Sequence, residues 1–338
     1  MARPQPWRYQ PGFPGEQVTS PIKVVMLRGP AAAEITSYFA SNPDIQLTVC
    51  DDAESFTREL HDADAAMMTG HGYDRDVKRA LETSTVRLVQ TLTAGYEELE
   101  ELGSPKGITV CNAGDAWAPS SAEHAVTLLL ATMRRVPAAL SQQAARKWDR
   151  TLSDDIRGLP GQTVALIGYG NIAREIAKRL RPFGSRLVGV SRSGHGDDLI
   201  DEMRTTSELG AVLNVADAVV ITLPLTTETT NLFNAETIAQ MKPGAVLINV
   251  SRGAIVDSFA LASALHSGRL FGAGLDVTNP EPPPRDDPLW DTPNLILTPH
   301  VAGSSGAVGW ARVAQTVGSN IERFARGEKL LNVITERA

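Results

Sequence analysis

Three charged side chains of different chemical types stand just behind short apolar segments in the second half of the chain. Arg252, Glu281 and His300 follow such segments at separations of 29 and 19 residues. Each separation fits one crossover between parallel strands, which takes about a dozen residues or more. Because open parallel sheets bind ligands at the carboxyl ends of their strands, we expect a guanidinium, a carboxylate and an imidazole to converge on one crevice.

These three groups have the chemistry that reduction of a ketone requires in addition to a hydride donor. An imidazole titrates near neutral pH, so His300 is the candidate general acid for the carbonyl oxygen. Glu281 can hold that ring and stabilise its cationic form. The planar and permanently charged Arg252 can bind a substrate carboxylate and polarise the ketone.

A glycine-rich segment follows the apolar run Thr163–Ile167 and opens a helical stretch. Its small residues suit a dinucleotide fold, in which they allow a tight turn, a close backbone approach to a pyrophosphate and close helix–strand packing. The free N–H groups and the positive dipole end of the helix favour phosphates. The predicted cofactor contacts in this segment are Gly168, Tyr169, Gly170, Asn171 and Ile172.

The segment after the next apolar run indicates which cofactor is preferred. An NAD site usually has Asp or Glu there for the ribose hydroxyls, but this chain has Ser191, Arg192 and Ser193, and no carboxylate before Asp197. Arg192 can pair with a 2′-phosphate and the serines can donate to it, whereas the alternative is a solvated loop arginine. We therefore predict a preference for NADP(H), and NAD use stays open.

The apolar runs predict an α/β fold with two doubly wound parallel sheets. A helical stretch over 120–147, which Pro137 kinks or interrupts, joins the two series of strands, and a final helix over 306–326 is expected to pack back on the first domain. The prediction is a Rossmann cofactor domain (118–308) inserted into a flavodoxin-like substrate domain (21–117 and 309–338), after a tail over 1–20. The predicted strands are 22–27, 45–50, 65–69, 86–92, 108–111, 163–167, 187–190, 218–223, 245–250, 272–276 and 295–298.

Composition narrows the functional classes. The net charge of −7 disfavours binding to nucleic acid or to an anionic membrane surface. Cys50 and Cys111 form no CxxC pair, so we expect buried free thiols and no metal site. No apolar run reaches the roughly 18 residues that cross a bilayer, and the N-terminus lacks the apolar core of a signal peptide. A cytoplasmic protein with a disordered tail is the expectation.

The chain resembles the D-isomer-specific 2-hydroxyacid dehydrogenase family over nearly all of its length after the tail. The motifs that carry this resemblance are GYGNIA, LPLTTETTNLF, MKPGAVLINVSRGAIVD, LDVTNPEPPP and PNLILTPHVAG. The resemblance implies that Arg252, Glu281 and His300 form the catalytic trio and that Thr93-Ala94-Gly95-Tyr96 is the substrate loop.

The resemblance also extends the cofactor site and the substrate site. Asp276 matches the residue that contacts the nicotinamide carboxamide, and Ala94–Gly95 backbone N–H groups can take a substrate carboxylate oxygen. The further cofactor contacts it implies are Leu223, Pro224, Thr230, Val250, Ser251, Arg252, His300 and Gly303, and the substrate contacts are Thr93, Ala94, Gly95, Arg252 and His300. A homodimer is also implied, as is domain closure by hinges near 117–119 and 303–309.

Several activities fit this family, with glyoxylate and hydroxypyruvate as our first candidate substrates. A short NAD-dependent phosphoglycerate dehydrogenase is an alternative, although Arg192 disfavours NAD and the chain ends 38 residues after His300, without room for a regulatory domain. Glu281 argues against formate dehydrogenase, in which Gln is typical at this position, and phosphite oxidation is a remote option. A corepressor-like protein that binds the nucleotide and docks partner peptides stays open, because such proteins keep a similar trio.

Overall fold

The computed structural model describes residues 20–304 and 306–334 and divides the chain into two compact units. The first contains residues 20–117 and 306–334 and the second contains residues 118–304. The second unit ends at residue 304, a few residues before the boundary expected at 308. The reason is that the helix that begins at Gly306 belongs wholly to the first unit. The predicted tail lies outside the described residues apart from Ser20.

The first unit begins with alternating strands and helices around a five-stranded parallel sheet, ordered β2-β1-β3-β4-β5. Helices cover both faces of the sheet, so its strands are nearly continuous apolar segments. Asp52 and Asp74 begin two of the helices by accepting hydrogen bonds from free N–H groups of the first turn. The elements are β1 (Ile22–Leu27), α1 (Ala32–Phe39), β2 (Ile45–Cys50), α2 (Ala53–Glu59), β3 (Ala65–Met68), α3 (Arg75–Glu82), β4 (Leu88–Thr91), α4 (Glu97–Leu102) and β5 (Thr109–Cys111).

The second unit is built on a seven-stranded parallel sheet, ordered β12-β11-β10-β9-β6-β7-β8. Two apolar clusters fill its faces, one with α5 and α7 and the other with α8, α9 and α10. The elements are α5 (Ala118–Met133), α6 (Val136–Ala144), β6 (Thr163–Ile167), α7 (Asn171–Leu180), β7 (Arg186–Ser191), β8 (Glu202–Thr205), α8 (Leu209–Val215), β9 (Ala218–Ile221), α9 (Ala235–Gln240), β10 (Val246–Asn249), α10 (Ser258–His266), β11 (Gly272–Leu275) and β12 (Leu295–Leu297).

The helical stretch expected over 120–147, with an interruption at Pro137, is two helices, α5 and α6. The interruption lies at Arg135, which adopts the left-handed conformation with φ 55° two residues before Pro137. The edge strand β8 was missed because it has no apolar run: Glu202 and Arg204 leave the strand only partly buried.

The chain returns to the first unit through α11 (Gly306–Ala325). This helix packs on α1, and Val313, Val317 and Ile321 are fully buried in the same apolar cluster. Cys50 and Cys111 are both buried in this unit. Among the described residues, no helix is both long enough and apolar enough to cross a bilayer.

Candidate functional site

The three charged side chains predicted to act together all lie in the second unit, after neighbouring strands. Arg252 follows β10, Glu281 follows β11 and His300 follows β12, and these strands are adjacent in the parallel sheet. Parallel pairing places their carboxyl ends at one edge. The fold therefore brings the three chain segments together as the spacing predicted.

Glu281 and His300 are in direct contact. Nδ1 of the imidazole lies 2.8 Å from Oε1 of Glu281, and both side chains are partly exposed, at 45% for His300 and 40% for Glu281. An ionised carboxylate can only accept, so the proton of this hydrogen bond belongs to Nδ1. The other ring nitrogen, Nε2, is left for a ligand. This is the arrangement that a carboxylate-oriented general acid or base requires.

The backbone of His300 is held in an unusual conformation. Its φ is 51°, in the left-handed region that non-glycine residues seldom adopt. Its N–H group donates to the carbonyl oxygen of Asp276 at 2.8 Å and to that of Thr298 at 3.0 Å. Backbone conformations of this kind persist where the surroundings enforce them, and they are concentrated at functional sites.

The Asp276 carboxylate connects the segment after β11 to the segment that carries His300. Oδ1 accepts from Thr298 Oγ1 at 2.6 Å and from the Val301 N–H at 2.9 Å, and Oδ2 accepts from the Ala302 N–H at 2.8 Å. His124 Nε2 lies 2.9 Å from Thr298 Oγ1 and 3.4 Å from Asp276 Oδ1. Burial acts to raise the pKa of Asp276, but these hydrogen bonds outweigh burial and hold it below its ordinary value.

This geometry bears on the role that the resemblance gives Asp276. Its side chain has no solvent exposure and both oxygens are engaged within the unit. The contact with a nicotinamide carboxamide stays a prediction, and the structure gives the carboxylate a different task, which is to anchor the backbone beside His300.

The segment that carries Arg252 is anchored through buried polar groups. Asn249 Nδ2 donates to the Arg252 carbonyl at 2.9 Å, and Asn249 Oδ1 accepts from Ser251 Oγ at 2.7 Å and from the Ser251 N–H at 3.0 Å. A side chain at position 253 would have its Cβ 1.9 Å from the Thr278 carbonyl oxygen, so Gly253 allows the segments after β10 and β11 to touch. These contacts fix the backbone from which the guanidinium projects.

The glycine-rich segment forms a tight turn between β6 and α7. Gly168 has φ 95°, and a Cβ there would lie 2.9 Å from backbone atoms of Thr222 and Leu223. A Cβ at Gly170 would meet only the Gly168 carbonyl oxygen, at 3.9 Å, so a ligand's phosphate can approach the backbone. Asn171 and Ile172 begin α7, and no group among the described residues accepts a hydrogen bond from their N–H groups. The turn and the helix end therefore fit a dinucleotide pyrophosphate.

Tyr169 contributes through its own contacts. Its hydroxyl donates to Asp197 Oδ1 at 2.7 Å, and Arg174 forms an ion pair with the other oxygen of Asp197 at 2.9 Å. The Leu199 N–H also donates to this carboxylate, at 3.0 Å. The first carboxylate after β7 is thus already engaged by the protein's own groups.

Ser191 is the last residue of β7 and is partly buried, whereas Arg192 and Ser193 after it are exposed. Ser191 Oγ accepts from the Gly194 N–H at 3.1 Å and Ser193 Oγ accepts from the His195 N–H at 3.3 Å. The two hydroxyls also lie 3.4 Å apart, so one of them can donate to the other and the second keeps its proton for another acceptor. Arg192 is close enough to help lower the pKa of Glu228, for which a hydrogen bond from Thr226 is the larger cause. The Arg192 guanidinium and the serine hydroxyls are donors suited to a phosphate, and the Glu228 carboxylate lies near Arg192.

The other predicted cofactor residues have mixed environments. Leu223 and Gly303 are partly buried beside the strand ends, and Val250 and Ser251 are buried. Pro224 and Thr230 are exposed, and both take part in contacts within their own loop: the Pro224 carbonyl accepts from Thr229 Oγ1, and Thr230 Oγ1 donates to the Thr226 carbonyl. Their contact with a cofactor stays a prediction.

The predicted substrate loop of the first unit presents two backbone amides. The Thr93 carbonyl accepts from the Ala113 N–H at 3.0 Å, and the Ala94 carbonyl accepts from Asn112 Nδ2 at 2.8 Å. In a trans peptide the N–H points opposite to the C=O, so the N–H groups of Ala94 and Gly95 point away from these anchors. Over residues 20–304 and 306–334, neither N–H group donates a hydrogen bond. Such a pair suits an anionic oxygen.

Sequence reasoning missed several residues that support the site. His124 on α5 contacts Thr298 and Asp276, and its only signal was a polar residue directly before the apolar stripe 125–133. Asn249 lay within a quoted motif but was given no role. The part of the chain that is described contains no cluster of three or more His, Cys, Asp or Glu side chains that could hold a metal ion.

Comparisons with known proteins show which family the chain resembles in sequence. The model of the NAD-binding domain of D-isomer specific 2-hydroxyacid dehydrogenases matches residues 126–302. The chain is 33% identical to a glyoxylate reductase of Pyrococcus furiosus, over 81% of this chain and 83% of that protein. It is 32% identical to a D-3-phosphoglycerate dehydrogenase of Methanocaldococcus jannaschii, over 83% of this chain but only 53% of that protein.

A solved structure extends the similarity to both units. It is that of a D-isomer specific 2-hydroxyacid dehydrogenase family protein from Aeromonas salmonicida subsp. salmonicida A449, which is 30% identical. The two chains superpose with a TM-score of 0.81, covering 94% of this chain and 99% of the other.

Proposed function

Because the chain belongs to the D-isomer specific 2-hydroxyacid dehydrogenase family, whose members are NAD(P)-dependent oxidoreductases, we propose that it reduces a small 2-oxo acid to the D-2-hydroxy acid with NADPH. The observation that carries the proposal is the contact between Glu281 Oε1 and His300 Nδ1 at 2.8 Å, at the same sheet edge as Arg252. Reduction of a ketone needs a positioned proton donor, and formate oxidation does not.

Each residue of the proposed site has a separate role in the reduction. The reduced nicotinamide supplies the hydride. His300 donates the proton from Nε2 to the carbonyl oxygen, while Glu281 holds Nδ1 and keeps the ring oriented. Arg252 binds the substrate carboxylate and draws electron density toward the ketone oxygen. Within the first unit, the N–H groups of Ala94 and Gly95 offer a site for an anionic oxygen.

We propose NADPH rather than NADH because of the side chains at the carboxyl end of β7. Arg192 and the hydroxyls of Ser191 and Ser193 can bind a 2′-phosphate. Asp197, the nearest carboxylate downstream, is engaged by Tyr169 and Arg174, so it does not replace the acid that typically binds the ribose of NAD. The cofactor-binding residues would be those of the glycine turn, the first turn of α7 and Ser191–Ser193.

Steady-state rates with a panel of 2-oxo acids and both cofactors test the proposal. Purified protein is assayed for NADPH and NADH oxidation with glyoxylate, hydroxypyruvate, pyruvate, phosphohydroxypyruvate and a branched 2-oxo acid. We expect turnover with the small acids and a higher kcat/KM for NADPH. Preferential turnover of the phosphorylated acid with NADH would support the phosphoglycerate dehydrogenase alternative. Cofactor binding without any turnover would favour a nucleotide-binding protein that docks partners.

A homodimer is part of the proposal. No residue of α6 is buried within the second unit, Leu140 on this helix is 57% exposed, and the nearby Trp148 is 93% exposed. Apolar side chains of this size are common at interfaces between subunits. Sedimentation of the wild type and of a Leu140→Glu, Trp148→Glu double variant should give a dimer and a monomer, respectively.

A further inference from the structure

A second histidine lies close to the segment that carries His300, on the helix α5 of the same unit. His124 Nε2 is 2.9 Å from Thr298 Oγ1 and 3.4 Å from Asp276 Oδ1. The imidazole is 21% exposed, whereas the Asp276 side chain has no exposure. No lysine or arginine in the described part of the chain forms an ion pair with this carboxylate. Because a buried charge is costly unless its surroundings compensate for it, the imidazole helps to keep Asp276 ionised.

The protons of this cluster can be assigned from the chemistry of its three groups. An ionised carboxylate only accepts, so the Thr298 hydroxyl donates its single proton to Asp276 Oδ1, at 2.6 Å. The hydroxyl oxygen must then accept from His124, which places a proton on Nε2. The hydrogen bonds therefore run in one direction, from the imidazole N–H through the hydroxyl to the buried carboxylate.

The packing of α5 on β11 explains why an imidazole stands at this point. A Cβ at Gly272 would lie 2.6 Å from Thr132 Cγ2, so the missing side chain lets the helix approach the strand closely. Two residues farther along the strand, a Cβ at Gly274 would lie 3.0 Å from Leu128 Cβ. Four helical residues rise about 6 Å and two strand residues about 6.6 Å, so the two series stay in register. The next pair in this register is the histidine and the aspartate.

Asp276 fixes the backbone on the far side of His300 as well. Oδ1 also accepts from the Val301 N–H at 2.9 Å, and Oδ2 accepts from the Ala302 N–H at 2.8 Å. Between these anchors and Thr298, the backbone of His300 has its φ of 51°. Such a conformation persists only where the surroundings enforce it, so loss of one anchor should let the backbone relax.

We propose that His124 is a positioning residue for the proton donor: its Nε2–H donates to Thr298 and thereby keeps Thr298 and Asp276 in the arrangement that holds the His300 backbone. The inference rests on the proposed reductase function and adds a residue to it. All four residues belong to the second unit, so the role concerns that unit alone. His124 acts through other residues, and its loss should therefore affect turnover more than cofactor binding.

Turnover and hydrogen exchange together test this role. Wild type, His124→Leu and His124→Gln are assayed with NADPH and the 2-oxo acid that the wild type reduces fastest, and amide exchange over 300–302 is followed by NMR. We expect His124→Leu to lower kcat about 10- to 100-fold, as displacement of a reacting group does. The Kd for NADPH should stay nearly unchanged, and the amides should exchange faster. His124→Gln, whose amide nitrogen can donate from nearly the same position as Nε2, should recover most of both losses.

Two further variants separate positioning from general destabilisation. Thr298→Val keeps the size of the side chain but removes the hydroxyl between His124 and Asp276, so it should lower kcat at least as much as His124→Leu. It also tests the role if His124→Leu does not fold. Leu129→Ala, a fully buried change on the same helix, is the matched control, because it weakens the packing of α5 without removing a hydrogen bond. Its kcat should stay close to that of the wild type.

The outcomes separate this inference from the function on which it rests. If the wild type reduces 2-oxo acids and His124→Leu leaves kcat unchanged, the positioning role is wrong and the reductase function stands. An equal loss in His124→Gln or in Leu129→Ala would also overturn the role, because the hydrogen bond would then not be the cause. If the wild type reduces no 2-oxo acid, the proposed function is wrong, and unchanged amide exchange in His124→Leu would overturn the anchoring of the segment separately.

Discussion

The backbone N–H of His300 donates to the carbonyl oxygen of Asp276 at a distance of 2.8 Å. The candidate proton donor is therefore carried by a backbone that is bonded to the end of the neighbouring strand, with φ at His300 held at 51°. Orientation of the imidazole thus depends on two carboxylates: Glu281 acts on the ring, and Asp276 acts on the backbone that follows it.

Loss of the imidazole should remove the chemistry and spare cofactor binding. We expect His300→Ala to lower kcat by roughly 10²–10⁴-fold, the range for a positioned proton donor. NADPH affinity, measured by fluorescence titration, should stay within a few-fold of the wild type. His266→Ala, in the same unit, is the control. Near-normal turnover would remove His300 from its role.

Replacement of the ring's partner tests the orientation of the imidazole separately. Glu281→Gln keeps the size of the side chain, but its amide can donate to Nδ1 and so favour the wrong tautomer. By analogy with other carboxylate–histidine pairs, kcat should fall by roughly 10²–10⁴-fold. The exposed Glu236→Gln serves as control, and single-turnover rates would report the change. Unaltered rates would mean that Glu281 is merely a surface carboxylate.

Cofactor preference should depend on Arg192. Its replacement by alanine removes one charge-assisted contact to a 2′-phosphate, which is worth about 1.5–3 kcal/mol. We expect kcat/KM for NADPH to fall about 10- to 150-fold and the value for NADH to stay nearly constant. Arg181→Ala, which removes an ion pair with Asp201 at the far end of α7, is the matched control. Parallel losses with both cofactors would contradict the assignment.

The role of Asp276 can be decided by comparing cofactor affinity with turnover. If the carboxylate anchors the His300 backbone, Asp276→Asn should lower kcat while the Kd for NADPH changes little. If the carboxylate instead binds the nicotinamide carboxamide directly, the Kd for NADPH should rise by a factor similar to the fall in kcat. Asp257→Asn, which changes a carboxylate that caps α10, is the control because asparagine also caps helices well.

The stabilising contribution of Asp276 to the second unit should be lost in acid. Its pKa is lowered in the folded protein, so its stabilising contribution is present above the unfolded-state pKa of about 3.9 and is lost as pH falls through the lower folded-state value. Denaturant unfolding of wild type and Asp276→Asn should therefore show the largest stability difference near neutral pH and a smaller one in acid. A difference that grows as pH falls would have the wrong sign.

Gly253 should be intolerant of any side chain. A Cβ there would lie 1.9 Å from the backbone oxygen of Thr278, which cannot move as a side chain can. We expect Gly253→Ala to lower unfolding stability by at least about 1–3 kcal/mol, as overpacking does, and to impair activity. Gly158→Ala, where the nearest atom is Pro160 Cδ at 3.4 Å, is the control. Equal stability of the two variants would contradict the close contact.

The fold class followed from sequence because strands buried on both faces must be apolar throughout. The strands Ile22–Leu27, Ile45–Cys50 and Thr163–Ile167 begin and end as predicted. The same reasoning missed β8, whose edge position lets polar residues occupy it, and it placed the break between α5 and α6 at Pro137, whereas the left-handed residue is Arg135.

By itself the sequence determined the three chemical groups, the sheet edge on which they would meet and the glycine turn of the cofactor site, because each depends on residue type and on position along a strand or helix. Only the tertiary structure decided that Glu281 bonds Nδ1 of His300 and that Asp276 is buried beneath its backbone with His124 beside it. Such contacts join residues that are up to 174 positions apart, as for His124 and Thr298, and chain spacing cannot specify side-chain distances across different strands and helices.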